Sequence, residues 1–155
     1  MVTGMSILYS AAAVRRILGL SSSAKVQIQI FDLVVWVWVK GKRPTFISKK
    51  LFKSHFATWR QEQAKGLKLG NSWQGNFQVL NPKTERQYIV EARSNGVFCT
   101  CEDFNNQLDF WGRGCCKHGY TVLNHLGFGS LGEFLTAQKV VDIRRASEAP
   151  AAYAA

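Results

Sequence analysis

Every cysteine of this chain falls in one stretch, residues 98–120, FCTCEDFNNQLDFWGRGCCKHGY, which also holds one of its three histidines. Four thiols and an imidazole so close together are one donor too many for a tetrahedral metal site. They are also too crowded for ordinary packing cysteines. To bring such donors to one point, the chain must fold back on itself between residues 101 and 115. The first ten residues lack a basic region, and Arg15 and Arg16 follow the apolar stretch, so nothing resembles a cleavable leader. The expected location is intracellular, cytoplasmic or, in a eukaryote, nuclear, where clustered thiols favour metal or redox chemistry over disulfides.

Local pattern narrows the donors. Ser94-Asn95-Gly96-Val97 lies between alternating segments, and Asn-Gly is the strongest short hairpin signal. A two-residue Asn95-Gly96 turn sets Ala92 opposite Cys99 and Val90 opposite Cys101. Alternation then puts both thiols on the apolar face of Tyr88, Val90 and Ala92. On the far side, Lys117–Leu126 reads as a helix with Gly127 as its stop. Residues i and i+2 of a helix lie about 200° apart. Cys116 and His118 therefore share an ion only if Cys116 stands at the non-helical entrance and His118 in the first turn. Gly112 and Gly114 suit that bent approach, and the helix N-terminus stabilises a nearby thiolate. Adjacent cysteines diverge, so Cys116 forms the compact pair with His118, and Cys115 is left as a packing residue or exposed thiol. His125 falls about 10 Å further along the axis, beyond ligand distance.

The pattern Cys-x-Cys, fourteen residues, then Cys-x-His, with CTCEDF closing a hairpin and CCKHGYTVLNHL opening a helix, resembles the SWIM zinc finger family over about residues 72–127. The resemblance implies one structural Zn2+ on Cys99, Cys101, Cys116 and His118. It also implies an intracellular module that contacts DNA or proteins, of the kind found beside helicase-type ATPases and in transposases. Gly119 departs from the pattern, standing where an apolar helix former is usual, and weakens the first turn.

Charge is the other constraint. Residues 1–70 hold twelve Lys and Arg against Asp32 and Glu62, a net of +10, whereas residues 71–155 are balanced at eight and eight. A basic concentration over Lys40–Lys68 is a footprint for phosphate backbones, or else a solvated face. Ser48–Lys65 reads as an amphipathic helix with Leu51, Phe52, Phe56, Trp59 and Gln63 at helical spacing and a basic opposite side. Lys42, Arg43, Lys49, Lys50, Lys53 and Arg60, with Arg113 and Lys117 beside the finger, are the candidate nucleic-acid contacts.

Val26–Val39 alternates and then becomes continuously apolar, which reads as one or two strands. Left exposed, Val-Val-Trp-Val-Trp-Val is an aggregation hazard and has to be covered. At 14 residues it is short of the ~20 that a membrane span requires. Ser130-Leu-Gly-Glu133 is a capping box opening a helix to about Arg145.

The expected fold is α+β: a zinc-stabilised β-hairpin or meander plus helix (a ββα-like finger), a basic helical N-terminal segment and a C-terminal helix. The segments run 1–45 (apolar, strand), 46–70 (basic helix and linker), 71–127 (finger), 128–146 (helix) and 147–155 (frayed tail). A closed Cys3His set leaves no open metal position, and there is no phosphate loop and no carboxylate pair suited to acid–base work, so an enzyme is not expected. Expected partners are nucleic acid, DNA before RNA, or alternatively a DNA-processing protein such as a helicase-type ATPase, with no membrane and no small-molecule substrate.

Overall fold

A computed structural model describes residues 7–148, with side chains to Arg145. The fold is α+β, with two antiparallel sheets and five helices among the described residues. The chain divides into two compact units, Met1–Glu62 and Gln63–Ala155. Each has its own core, and the two cores share no residue.

The first unit opens with α1 (Ala11–Ile17), a helix that was not expected from the sequence. Ser10 Oγ caps it by accepting the Ala13 N–H at 3.1 Å. A three-stranded sheet follows in the order β1 (Val26–Ile30), β2 (Val34–Val39), β3 (Thr45–Ser48). Alternation along β2 sends Val35, Val37 and Val39 inward to Val14, Ile47, Tyr9 and Phe52, all buried. Thus the apolar run is covered on one face only, and Val34, Trp36 and Trp38 stand half-buried on the other.

The basic helix is α2 (Lys49–Ala64), its first turn capped by Ser48 Oγ on the Leu51 N–H at 3.2 Å. Its inward side differs from the expected one. Leu51 is 46% exposed, while Phe52, Phe56 and Arg60 follow one another at i+4 with Phe52 and Arg60 buried. Arg60 lays its guanidinium over the Phe56 ring, 3.4 Å from the centroid, and Nη1 donates to the Phe56 carbonyl. At 6% exposure it is a packing residue, which corrects its assignment as a phosphate contact.

The second unit is a four-stranded meander, β4 (Lys68–Trp73), β5 (Asn76–Leu80), β6 (Gln87–Arg93), β7 (Gly96–Cys99), with three helices, α3 (Glu102–Trp111), α4 (Lys117–His125) and α5 (Leu131–Glu148). β4 begins in the end of the expected helix-and-linker segment, 46–70, and runs into the expected finger. Gly70 and Asn71 interrupt its alternation with a bulge that the Gln78 side chain fills, its Oε1 accepting the Asn71 N–H. Gln74 and Gly75, both at positive φ, then make the primed turn that joins β4 to β5.

The β6–β7 hairpin turns at Ser94-Asn95, and Arg93 pairs with Gly96, Ala92 with Val97 and Val90 with Cys99. The expected register was off by two residues. Because side chains alternate with period two, Cys99 keeps the expected face and only its partner changes, Val90 in place of Ala92. Cys101, by contrast, leaves the strand altogether.

The supposed spacer is largely a helix: α3 begins at Glu102-Asp103, favourable anions at a helix N-terminus, and stops at Gly112 with φ 67°. α4 is buried from His118 to Leu123, so it is the centre of this unit, packed on the sheet with α5 against it. Its end is Gly127 at φ 87°, as expected, but Leu126 is 37% exposed and outside the core. In the capping box Ser130 Oγ accepts the Glu133 N–H, and Glu133 reaches back to the Gly129 N–H at 2.8 Å. α5 continues to Glu148, beyond the expected Arg145; the rest of the predicted tail, 149–155, lies outside the described residues. Among the described residues no helix is long and apolar enough to cross a membrane.

Candidate metal centre

Four donors come from three elements. Cys99 ends β7 on its inward face, Cys101 is the N-cap of α3, Cys116 is the N-cap of α4, and His118 sits in the first turn of α4. All four are buried, and their ligand atoms all lie within 4.8 Å of one another. His118 presents Nδ1, 3.7 Å from the sulfurs of both Cys99 and Cys116. A tetrahedron with metal–sulfur bonds of about 2.3 Å has sulfur–sulfur edges of about 3.8 Å. The four donors therefore already stand near the spacing one ion demands, and they can hold one.

Backbone geometry explains how residues so close in sequence converge. Cys101 and Cys116 both have extended backbone (φ −81°, ψ 155° and φ −83°, ψ 174°), as N-caps do. Each sulfur accepts the N–H three residues on, Phe104 and Gly119 respectively, at 3.4 Å. Two helix N-termini thus direct their positive ends at the thiolates, which suits the anionic charge of a three-thiolate set. For Cys116 and His118 this is the arrangement that helix angle demands of an i, i+2 pair. The equivalent role of Cys101 was not anticipated, although its signal, an acidic pair followed by apolar Phe104 and Leu108 before Gly112, is present in the sequence.

The structure also accounts for the two residues left over. Cys115 is buried, its N–H donating to Gln107 Oε1 at 3.0 Å, and its sulfur lies outside the donor group. A Cβ on residue 119 would stand 3.0 Å from that sulfur, so Gly119 makes room for Cys115 beside the first turn. Gly114 is tighter still, since a Cβ there would meet Gln107 Cβ at 2.5 Å. His125 is exposed and lies edge-on to Phe77, away from the centre. The Tyr88 ring packs on the His118 imidazole at 4.2 Å between centroids. With Nδ1 facing the sulfurs, the proton of a neutral His118 sits on Nε2, which is buried and has no hydrogen-bond partner.

Electrostatically the three central thiols compete. Cys101 is held well below its usual range, first by the hydrogen bond from Cys116 and then by that from Cys99. Those bonds raise the two donors: Cys99 is pushed up to about 12, chiefly by its bond to Cys101, and Cys116 is raised for the same reason. Within the cluster, negative charge is therefore favoured on Cys101 over Cys99 and Cys116. Three thiolates are needed to bind the ion, so at least about two protons leave, with a third from Cys101 in unfolded chains. The sign follows: affinity rises with pH and falls as protons compete for sulfur. Calorimetric titration of the metal-stripped chain with Zn2+ in two buffers of different ionisation enthalpy should count two to three protons released; one or none would contradict this.

The remaining candidate contacts are scattered along the chain. Lys42 and Arg43 are exposed between β2 and β3, and Lys50 and Lys53 are exposed at the start of α2. Lys49 is half-buried, its ammonium 5.4 Å from the Tyr9 ring centroid. In the second unit Arg113 is exposed before α4 and Lys117 is half-buried as its first residue. Comparison with protein-family models, with characterised proteins and with solved structures found no match for this chain.

Proposed function

We propose that the chain is a non-enzymatic module, stabilised by one structural Zn2+ on Cys99, Cys101, Cys116 and His118, that binds nucleic acid through its first unit. The observation that carries the metal half is the buried group of four donors within 4.8 Å. Three sulfurs and one imidazole nitrogen around a tetrahedron suit Zn2+ above harder ions, and four protein ligands leave no position for substrate. A Cys-x-Cys at the end of a hairpin and a Cys-x-His at a helix entrance fit a SWIM-type finger. When bound, the ion would tie β7, α3 and α4 together and favour the thiolate form of the sulfurs, two of which also accept the backbone N–H groups of Phe104 and Gly119.

The nucleic-acid half rests on charge. Residues 1–62 hold ten Lys and Arg against Asp32 and Glu62, a net of +8, while residues 63–155 hold ten against eight. Lys42, Arg43, Lys50 and Lys53, all exposed, are the phosphate contacts in this reading, with Arg113 and Lys117 secondary. DNA is preferred to RNA only by the family resemblance. Binding governed by four such contacts gives log K against log salt a slope of about −3 to −4 on duplex DNA. Anisotropy titrations from low to physiological salt should find it, and a flat response would leave the protein-docking reading in its place.

A further inference from the structure

The outer face of the β1–β2–β3 sheet is not part of either core. Register and alternation put Gln27, Gln29 and Phe31 of the first row, Val34, Trp36 and Trp38 of the second, and Phe46 and Ser48 of the third on this side. Phe46 is 63% exposed and Phe31 45%, their rings edge-on at 6.4 Å, and the two tryptophans are half-buried. Neither tryptophan packs with the inner cluster, which is built on Val35, Val37 and Val39. Four aromatic rings on one open sheet face are more than solubility favours.

The same rows end in charge. Lys40 follows Trp38 by two residues, and its N–H donates to the Lys25 carbonyl, so Lys25 and Lys40 are neighbours at one end of this face. Both lie at the sheet's rim with exposed Lys42 and Arg43 continuing from Lys40. The nearest acidic residue in sequence, Asp32, is at the opposite tip, in the β1–β2 turn. A partner for this face must therefore offer flat apolar groups to the rings and negative charge to the lysines.

We infer that this face is a stacking platform for single-stranded nucleic acid, with bases on Trp36, Trp38 and Phe46 and phosphates on Lys25, Lys40, Lys42 and Arg43. Trp36 and Trp38 are two residues apart on one strand, about 6.6 Å. That is roughly twice the ~3.4 Å rise of a stacked duplex, so the indoles meet two bases spread apart rather than a paired stack. Phe46 stands directly across from Trp36 and widens the platform. The aromatic faces are sequence-tolerant, because every base has a π surface. This deepens the nucleic-acid reading above and rests on it.

The test uses the full chain with zinc and a fluorescein-labelled oligodeoxythymidylate of about 20 nucleotides, beside a duplex of equal length. The single strand should bind more tightly than the duplex. Trp38→Ala and Phe46→Ala should each weaken it by roughly five- to a hundredfold while leaving duplex affinity and the salt slope unchanged. Lys25→Ala with Lys40→Ala should instead flatten the single-strand slope by about 0.7 for each phosphate no longer neutralised. Phe46 is mostly exposed, so its variant tests the platform even if a tryptophan variant misfolds. Equal binding of both probes, unaffected by the aromatic variants, overturns the platform but keeps the basic-segment reading. No binding of either probe overturns both. A dimer in sedimentation that Phe46→Ala converts to monomer, without loss of oligonucleotide binding, assigns the face to self-association and overturns the platform.

Discussion

Cys116→Ala will unfold the second unit. A structural zinc contributes on the order of 10 kcal/mol to the folding of a small finger, and whole domains are stable by only about 5–15 kcal/mol. Cys116 is also fully buried, caps α4 through the Gly119 N–H, and approaches His118 Nδ1 at 3.7 Å. With the proposed zinc in place, the substitution therefore removes a metal bond, a helix cap and buried volume together. Without the proposed ion, β7 is no longer tied to α3 and α4; Val97, Phe104 and Leu123 of these three elements share one buried core. Hydrogen exchange should show residues 63–148 losing protection while residues 7–62 keep theirs. Full protection throughout would mean that the apolar core holds this unit without the metal.

Phe52→Ala has the converse expected result. Phe52 is 1% exposed, contacts the Tyr9 ring edge-on at 5.3 Å, and is the largest fully buried side chain of the first core. Truncating a buried phenylalanine costs about 3–5 kcal/mol. Few small units have more than that to lose. Chemical denaturation followed by tryptophan fluorescence should show the first unit, which carries Trp36, Trp38 and Trp59, melting at markedly lower denaturant. Metal content should remain at one ion per chain, because no residue of the first core is a ligand. Loss of zinc in Phe52→Ala would contradict the separation of the two cores.

What the sequence revealed depended on which forces act locally. The four donors were legible because ligand spacing, helix angle and strand alternation are local constraints, and they reduce five candidates to four. The strand face of Cys99 survived an error in the turn because a two-residue shift preserves parity. The Asn95-Gly96 signal lost to Ser94-Asn95; pairing Val90 with Cys99 leaves Cys101 free to cap α3. α3 itself was hidden because a fourteen-residue interval between ligands invites reading as a connection. Its start was marked by Cys101, which is not among the usual capping residues.

Arg60 shows the limit most clearly. By type it belongs to the solvent side of a basic helix, but i+4 spacing from Phe52 and Phe56 carries it inward, where an aromatic ring and a carbonyl receive it. Gly119 shows the reverse. A residue that looked like a flaw in the helix is explained by a neighbour, Cys115, whose sulfur crowds the place a Cβ would take. In both cases the partner is only four residues away, and what the sequence leaves out is how the two side chains pack.

Cys99, Cys101, Cys116 and His118, and not Cys115, are the proposed ligands of one metal ion. Elemental analysis of the purified full-length chain beside Cys115→Ala and Cys116→Ala tests this assignment most directly. The expected result is one zinc per chain in the parent and in Cys115→Ala, and none in Cys116→Ala. Zinc kept by Cys116→Ala and lost from Cys115→Ala would contradict the assignment, and no zinc in the parent would contradict the centre itself.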